Sequence, residues 1–254
     1  MAVSSAGPAV SEIPVGILCG GRGTRLRERT HAIPKPLVEI GGMPILWHVI
    51  RIYAAQGFRR FVLLTGYLGE MIEEFVAGCE WPHPTTIECL DTGVDTPTGG
   101  RLALAADRFR DGTFCLTYAD GVADIDLVGE LAFHARERAK ATMTVVRPHS
   151  QWGIAVIDGS ARVSGFREKP RLDYWINGGF FCFEPGFLAY CEPTSVLERD
   201  PLERVAAEGS LAAFHHHGFW DCMDTYKDAV TLNDLWASGE APWRVWERAG
   251  AAAR

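Results

Sequence analysis

Pro14 to Arg25 reads PVGILCGGRGTR, a short apolar run that breaks into three glycines and two arginines within seven residues. The apolar part predicts a strand over Pro14 to Cys19. The glycines that follow let main-chain N–H groups approach an anion, and Thr24 adds a hydroxyl donor. An ordinary strand-to-helix turn needs about one glycine, so three with two cations favour a phosphate cradle. Leu26 stands where a third glycine of Gly-x-Gly-x-x-Gly belongs, and Gly-x-x-x-x-Gly-Lys-Ser/Thr is absent, which weakens dinucleotide and Walker-type readings.

Outward from this loop the chain alternates. Pro44 to Gln56 (PILWHVIRIYAAQ) has helical spacing before Gly57, Phe58 to Thr65 reads as a strand and Gly69 to Val76 as a helix. Thr113 to Tyr118 and Ala141 to Val146 read as further strands, separated by a helical stretch over Leu127 to Ala139. Such alternation predicts a parallel α/β sheet. From Trp152 the pieces GIAVID, VSGFREKP and NGGFFCFEP look hairpin-like, and an amphipathic end over Tyr226 to Arg248 carries Trp236, Trp243 and Trp246, expected to pack on the body or a subunit interface. We expect a flexible leader over 1–13 and one domain over 14–254, with a first half to about 150 and a second half with C-terminal helices beyond it.

Composition narrows the classes. The 254 residues are 47% hydrophobic and 22% charged, a globular balance. With 25 Lys and Arg against 32 Asp and Glu, the net charge of −7 offers no basic field for nucleic acid or an anionic membrane. No apolar run reaches the roughly 18 to 20 residues of a membrane helix, and MAVSSAGPAV lacks the parts of a signal peptide, so a cytoplasmic protein is expected. Seven cysteines without a Cys-x-x-Cys pair point to reduced thiols.

Ile33-Pro34-Lys35-Pro36-Leu37 holds a lysine in an extended, stiffened stretch. Alone it would read as a solvated surface lysine; after Gly-Gly-x-Gly-Thr-Arg it reads as a phosphate counter-charge. This pairing resembles the signature of the sugar-phosphate nucleotidyltransferases. PKPLVEIGGMPILWH (34–48), LTGYLGE (64–70), DTGVDTPTGGR (91–101), LTYADGVADID (116–126), FREKP (166–170), INGGFFCFEP (176–185), FWDCMDT (219–225) and APWRVWE (241–247) extend the likeness from Val15 to Trp246, closest to the glucose-1-phosphate cytidylyltransferase branch.

The resemblance implies a Rossmann-like nucleotidyltransferase fold, a mostly parallel mixed sheet flanked by helices with a small β-hairpin extension, whose half over about 14–150 binds the nucleotide and whose half over about 151–254 binds the sugar. It implies that Leu18, Cys19, Gly20, Gly21, Arg22, Gly23, Thr24 and Arg25 cradle the triphosphate, that Lys35 binds phosphate, and that Thr96 and Arg101 contact the nucleotide. Arg25, Lys35 and Asp120 would be the catalytic groups, Ala119 a backbone contact where the branch usually has Gly, and Asp120 with Asp224 the ligands of a magnesium ion. Glu168 and Lys169 would meet the sugar and its phosphate, and Asn177 and Gly178 the sugar. Read without the resemblance, Glu168 and Lys169 are a charged hairpin edge, and Asn177-Gly178-Gly179 a turn entering a strand.

The implied substrates are CTP and glucose 1-phosphate, with homo-oligomerisation expected and no nucleic-acid or membrane partner. The stretch between Glu74 and Asp91 is shorter than that branch would have. Alternatives are the same reaction with another base or sugar, or a non-catalytic nucleotide-sugar-binding regulator. Asp124, Asp126 and Asp221 lie near the metal candidates in sequence, with caps or solvated turns as their expected roles. His215-His216-His217 cannot all face one ion from a strand, since neighbours point oppositely, and is expected as a solvent-facing connection.

Overall fold

A computed structural model describes residues 8–23 and 33–247. Seven strands form the central sheet: β1 (Pro14–Leu18), β4 (Arg60–Thr65), β5 (Thr86–Asp91), β6 (Phe114–Tyr118), β8 (Ala141–Val146), β11 (Ile176–Phe183) and β12 (Leu211–His215). Their order is β12-β8-β11-β6-β1-β4-β5. β1 pairs parallel with β4 and β6, β4 with β5, and β8 with β12. β11 alone runs antiparallel, between β6 and β8.

Period-two alternation feeds a separate core on each face of this sheet. Val15, Ile17, Phe61, Leu63, Cys115, Phe180 and Cys182 point into one core, which helix α1 (Ile45–Ala55) and the C-terminal helix α6 (Tyr226–Ala237) cover. Val62, Leu64, Phe114, Leu116, Phe181 and Phe183 point into the other, with Phe187, Leu197, Leu202 and Val205. A strand buried on both faces lacks a polar side, which is why NGGFFCFEP, expected in a hairpin, is instead β11 at the centre of the sheet. The hairpin is made by β9 (Ile154–Ile157) and β10 (Val163–Arg167), an isolated antiparallel pair.

Two small ribbons complete the frame: β2 (Glu39–Ile40) with β3 (Met43–Pro44), and β7 (Gly121–Ala123) with β13 (Trp220–Cys222). The second brings the FWDCMDT segment to the end of β6. A capping box at Thr225 and Asp228 then starts α6. Trp243 is wholly buried and donates through Nε1 to His48 Nδ1 at 3.3 Å, so the C-terminal tryptophans pack onto the body. Within the stretch expected as a leader, Val10–Glu12 form a 3-10 turn, Ile13 is buried, and Arg60 donates to Glu12 O at 2.9 Å. The three histidines also differ from expectation. His215 and His217 flank Trp175 at ring distances of 4.5 and 5.4 Å, whereas His216 turns inward and its Nε2 bonds Phe219 O at 2.9 Å. No helix among the described residues is long and apolar enough to cross a membrane.

Candidate active site

β4 and β5 follow β1 to one side of the sheet while β6 lies on its other side, so the strand order reverses between β1 and β6. Open α/β sheets place ligands at the carboxyl ends of strands at such a point. A cleft of about 570 Å³ opens there, lined by Leu18 to Gly23, Lys35, Pro36, Val94 to Thr98, Arg101, Tyr118 to Asp120 and Asp224.

The glycine loop leaves β1 with its back tied down. Gly20 O accepts from Tyr67 N at 3.2 Å and from Arg101 Nη2 at 2.9 Å. The amides of Gly20, Gly21 and Arg22 have no protein acceptor among the described residues, which leaves three consecutive donors for an anion or water. Arg22 lies over the Tyr67 ring at 5.6 Å and bonds Asp95 Oδ1 at 2.9 Å. Cys19 is buried, and burial above all pushes its thiol well up, so it is a wall residue and no nucleophile. Thr24 and Arg25 lie outside the described residues.

Arg101, expected at the nucleotide, lines the cleft. It is buried, and its Nη atoms donate to Thr65 O, Gly93 O, Gly20 O, Val94 O and Thr92 Oγ1, between 2.6 and 3.4 Å. With these donors committed to four main-chain oxygens and the Thr92 hydroxyl, the side chain braces the cleft that it lines. Burial lowers its pKa, though the group stays a cation at any ordinary pH. Thr96 lines the cleft with its hydroxyl donating to Thr92 O at 2.5 Å.

Across the cleft Lys35 opens a 3-10 turn, Lys35–Leu37, after extended Pro34. Its Nζ donates to Asp120 Oδ2 at 2.5 Å and Asp224 Oδ1 at 2.8 Å, joining residues 189 apart in the chain. Burial pulls the ammonium down, but the two carboxylates outweigh it and hold its pKa above the usual lysine value. Asp120 follows β6 and Asp224 follows β13; Met223 N donates to Asp120 O at 2.9 Å, so the ribbon fixes their spacing.

Both aspartates stay partly open, at 27% and 35% side-chain exposure. Two carboxylates close enough to share one ammonium are a hard-oxygen donor set that suits magnesium with phosphate and water completing the shell. No cluster of three or more His, Cys, Asp or Glu positioned for a metal occurs among the described residues. Asp126 caps the helix α4 (Leu127–Glu137), and Asp124 Oδ1 accepts from Phe219 N. Asp221 is drawn up to about 6, first by burial.

The remaining candidates divide. Asn177 Nδ2 donates to the cleft residue Tyr118 at 3.3 Å, and buried Gly178 accepts from Trp220 Nε1. Glu168 and Lys169 follow β10 on the exposed hairpin and do not line the cleft. Sequence reasoning missed Tyr118, Thr98 and Glu198. Tyr118 could have been found from its place two residues before Asp120 at a strand end; Glu198 carries no motif at all.

Donors for anions and a lysine bridging two carboxylates suit phosphate chemistry carried by positioning and charge. Residues 15–236 match the nucleotidyl transferase family, and the chain belongs to it. It is 43% identical over 252 residues to a probable glucose-1-phosphate cytidylyltransferase of Bacillus subtilis (strain 168), covering 91% of this chain and 98% of that one. Identity is 40% over 254 residues, with the same coverage, to a glucose-1-phosphate cytidylyltransferase of Salmonella typhi. HddC from Yersinia pseudotuberculosis, solved with GMP-PN, shares the fold at a TM-score of 0.70 and 22% identity, over 88% of this chain and 99% of that one.

Proposed function

We propose that the protein transfers the cytidylyl group of CTP to α-D-glucose 1-phosphate, forming CDP-glucose and pyrophosphate. The choice of base and sugar is supported by the names of the two relatives at 43% and 40% identity, which span nearly their full lengths. The observation that carries the chemistry is the Lys35 ammonium set between Asp120 and Asp224 at the switch point of the sheet.

The attacking phosphate oxygen is already an anion at neutral pH, so no general base is needed, and in-line displacement at the α-phosphorus releases pyrophosphate. What the chain must do is hold two anions together and offset the charge that develops. The amides of Gly20 to Arg22 receive the phosphates of the nucleotide, with Thr24 and Arg25 expected to extend the cradle. Lys35 presents fixed positive charge to them, and Lys169 meets the sugar phosphate from the hairpin. Magnesium, held by Asp120 and Asp224, would supply further positive charge to the triphosphate. The cytoplasm as compartment, a homo-oligomeric assembly and a single domain over 14–254 belong to the same proposal.

Pyrophosphate release over a matrix of nucleoside triphosphates and sugar 1-phosphates tests this. CTP with glucose 1-phosphate should give the highest kcat/KM. A higher value for dTTP or GTP with every sugar overturns the base assignment, and no release from any pair favours a nucleotide-sugar-binding regulator.

A further inference from the structure

Thr98, Glu198, Tyr118 and Asn177 form one hydrogen-bonded line beside the cleft. Glu198 Oε2 accepts from Thr98 Oγ1 at 2.7 Å and its Oε1 from the Tyr118 hydroxyl at 2.5 Å. Thr98 Oγ1 in turn accepts from Leu197 N at 2.9 Å. At the other end Asn177 Nδ2 lies 3.3 Å from the Tyr118 oxygen, and Asn177 Oδ1 accepts from Gly179 N at 2.8 Å.

The direction of every bond is forced. A carboxylate only accepts, and each hydroxyl has one hydrogen to give. Both hydroxyl hydrogens therefore go to Glu198, and the Tyr118 oxygen can only accept from its second neighbour. The atom of Asn177 that faces it must be the nitrogen, which the Gly179 amide requires independently by claiming the oxygen. Burial first, then the Glu198 charge, pushes the Tyr118 phenol up, so it remains a donor throughout the working pH range. The ring is held close as well: Gly179 has φ +81°, and a Cβ there would lie 2.6 Å from Tyr118 Cδ2.

We infer that Glu198 is a positioning residue that acts through Tyr118, at the wall of the cleft, to fix the polarity of the Asn177 amide, the residue that the resemblance sets against the sugar, so that its second N–H is offered to a hydrogen-bond acceptor of the sugar 1-phosphate. A sugar hydroxyl oxygen or a phosphate oxygen meets that requirement; a group that can only donate does not. The identity of the ligand rests on the proposed function, while the polarity of the line rests on the geometry alone.

Reversing the polarity tests it. Asn177→Asp puts a second acceptor against the Tyr118 oxygen, whose hydrogen is committed to Glu198, and should lower the melting temperature. Glu198→Gln in the same chain supplies an amide to donate to Tyr118, which frees its hydrogen for the new carboxylate. The double variant should therefore melt above the Asn177→Asp protein and well above the sum of the two single effects. Additive losses in the double variant would overturn the polarity.

Kinetics separate the ligand from the brace. Asn177→Asp should raise KM for glucose 1-phosphate at least about tenfold, from loss of a donor and gain of a like charge, with KM for CTP changed less than about twofold. The double variant should recover stability but not this KM, because the donor is still missing. An unchanged sugar-phosphate KM, or one restored with stability, would overturn the recognition role. Should the wild-type protein release no pyrophosphate from any pair, the proposed function and the recognition role fail together, and the melting comparison still decides the polarity.

Discussion

Lys35 and Lys169 are both lysines followed by proline, and the fold treats them oppositely. Lys35 is fixed by flanking prolines and two carboxylates, with its side chain 14% exposed. Lys169 sits beyond the β9 and β10 hairpin with φ +42°, its side chain 51% exposed and its nearest acid Glu168 at 3.8 Å. A two-stranded ribbon has little stability of its own. The hairpin is tied back by main-chain bonds such as Ser150 N to Pro170 O and Leu172 N to Pro148 O, and by a bridge between His149 and Arg171. On the proposed function one cation is in place before substrate arrives, and the other would have to be brought in with it. Preset charge acts on the transition state without reorganisation, whereas a recruited charge contributes to binding.

The largest effect should follow from breaking the preset group. Lys35→Ala should lower kcat for pyrophosphate release by roughly thirty-fold to a thousand-fold, about 2 to 4 kcal/mol, with an unchanged far-ultraviolet circular dichroism spectrum. Asp120→Asn and Asp224→Asn should fall in the same range. Near-wild-type turnover in any of the three would remove the distinction between the two lysines. Next comes Gly20→Ala. The added Cβ would lie 1.9 Å from Arg101 Nη1, and that guanidinium is held by four further oxygens. Overpacking of this kind costs about 1 to 3 kcal/mol. A urea midpoint equal to wild type would show that Arg101 can yield and that the brace is softer than its bonds imply.

Lys169→Ala is the milder counterpart of Lys35→Ala. We expect KM for glucose 1-phosphate to rise by about tenfold and kcat to change by less than about threefold, the pattern of lost binding without lost transition-state contact. A fall in kcat matching that of Lys35→Ala, measured at saturating substrates, would mean the hairpin presets its lysine too.

Much of this contrast was legible in the chain. PVGILC followed by three glycines placed a glycine loop at a strand end, and the spacing of PILWHVIRIYAAQ matched α1 almost to the residue. Asp120 and Asp224 could be paired only through the family likeness, because the ribbon that joins them is three residues on each side. β11 was hidden by its own burial: with both faces covered it has no alternation, and Asn177-Gly178-Gly179 mimics a turn. The five oxygens that converge on Arg101 could not be read from the sequence, because they come from residues 20, 65, 92, 93 and 94 and meet only in the fold. Glu198 lay beyond reach for the same reason, since its role exists only in the contacts it makes with Thr98 and Tyr118.

The smallest effect on turnover should come from the far side of the sheet, where charge is buried with no bearing on phosphate. Glu130 and His134, one turn apart on α4, face Thr144 and Thr142, two apart on β8, so that the helical and strand repeats coincide. Thr144 Oγ1 donates to Glu130 Oε1 at 2.7 Å, and His134 Nδ1 meets Thr142 Oγ1 at 2.8 Å. Burial drives Glu130 from 4.5 up to about 8, with the Thr144 bond opposing it. Between those values the folded protein holds a proton that the unfolded chain has lost. Stability from the protonated form is complete below pH 4.5 and drains away as pH rises through 8, at up to about 1.4 kcal/mol per pH unit for one proton. Buried His48, lowered to about 4 first by burial, acts in the opposite sense: its share is present above 6.5 and lost as pH falls through 4. Glu130→Gln keeps the acceptor for Thr144 and removes only the titration, so wild type minus variant cancels His48 and the other groups. The variant should gain on wild type steadily from pH 5 to pH 8 in urea unfolding, with kcat at pH 7 unchanged. A difference that stays flat across that range would place the Glu130 proton elsewhere, and a large loss of turnover would tie this buried layer to the cleft after all.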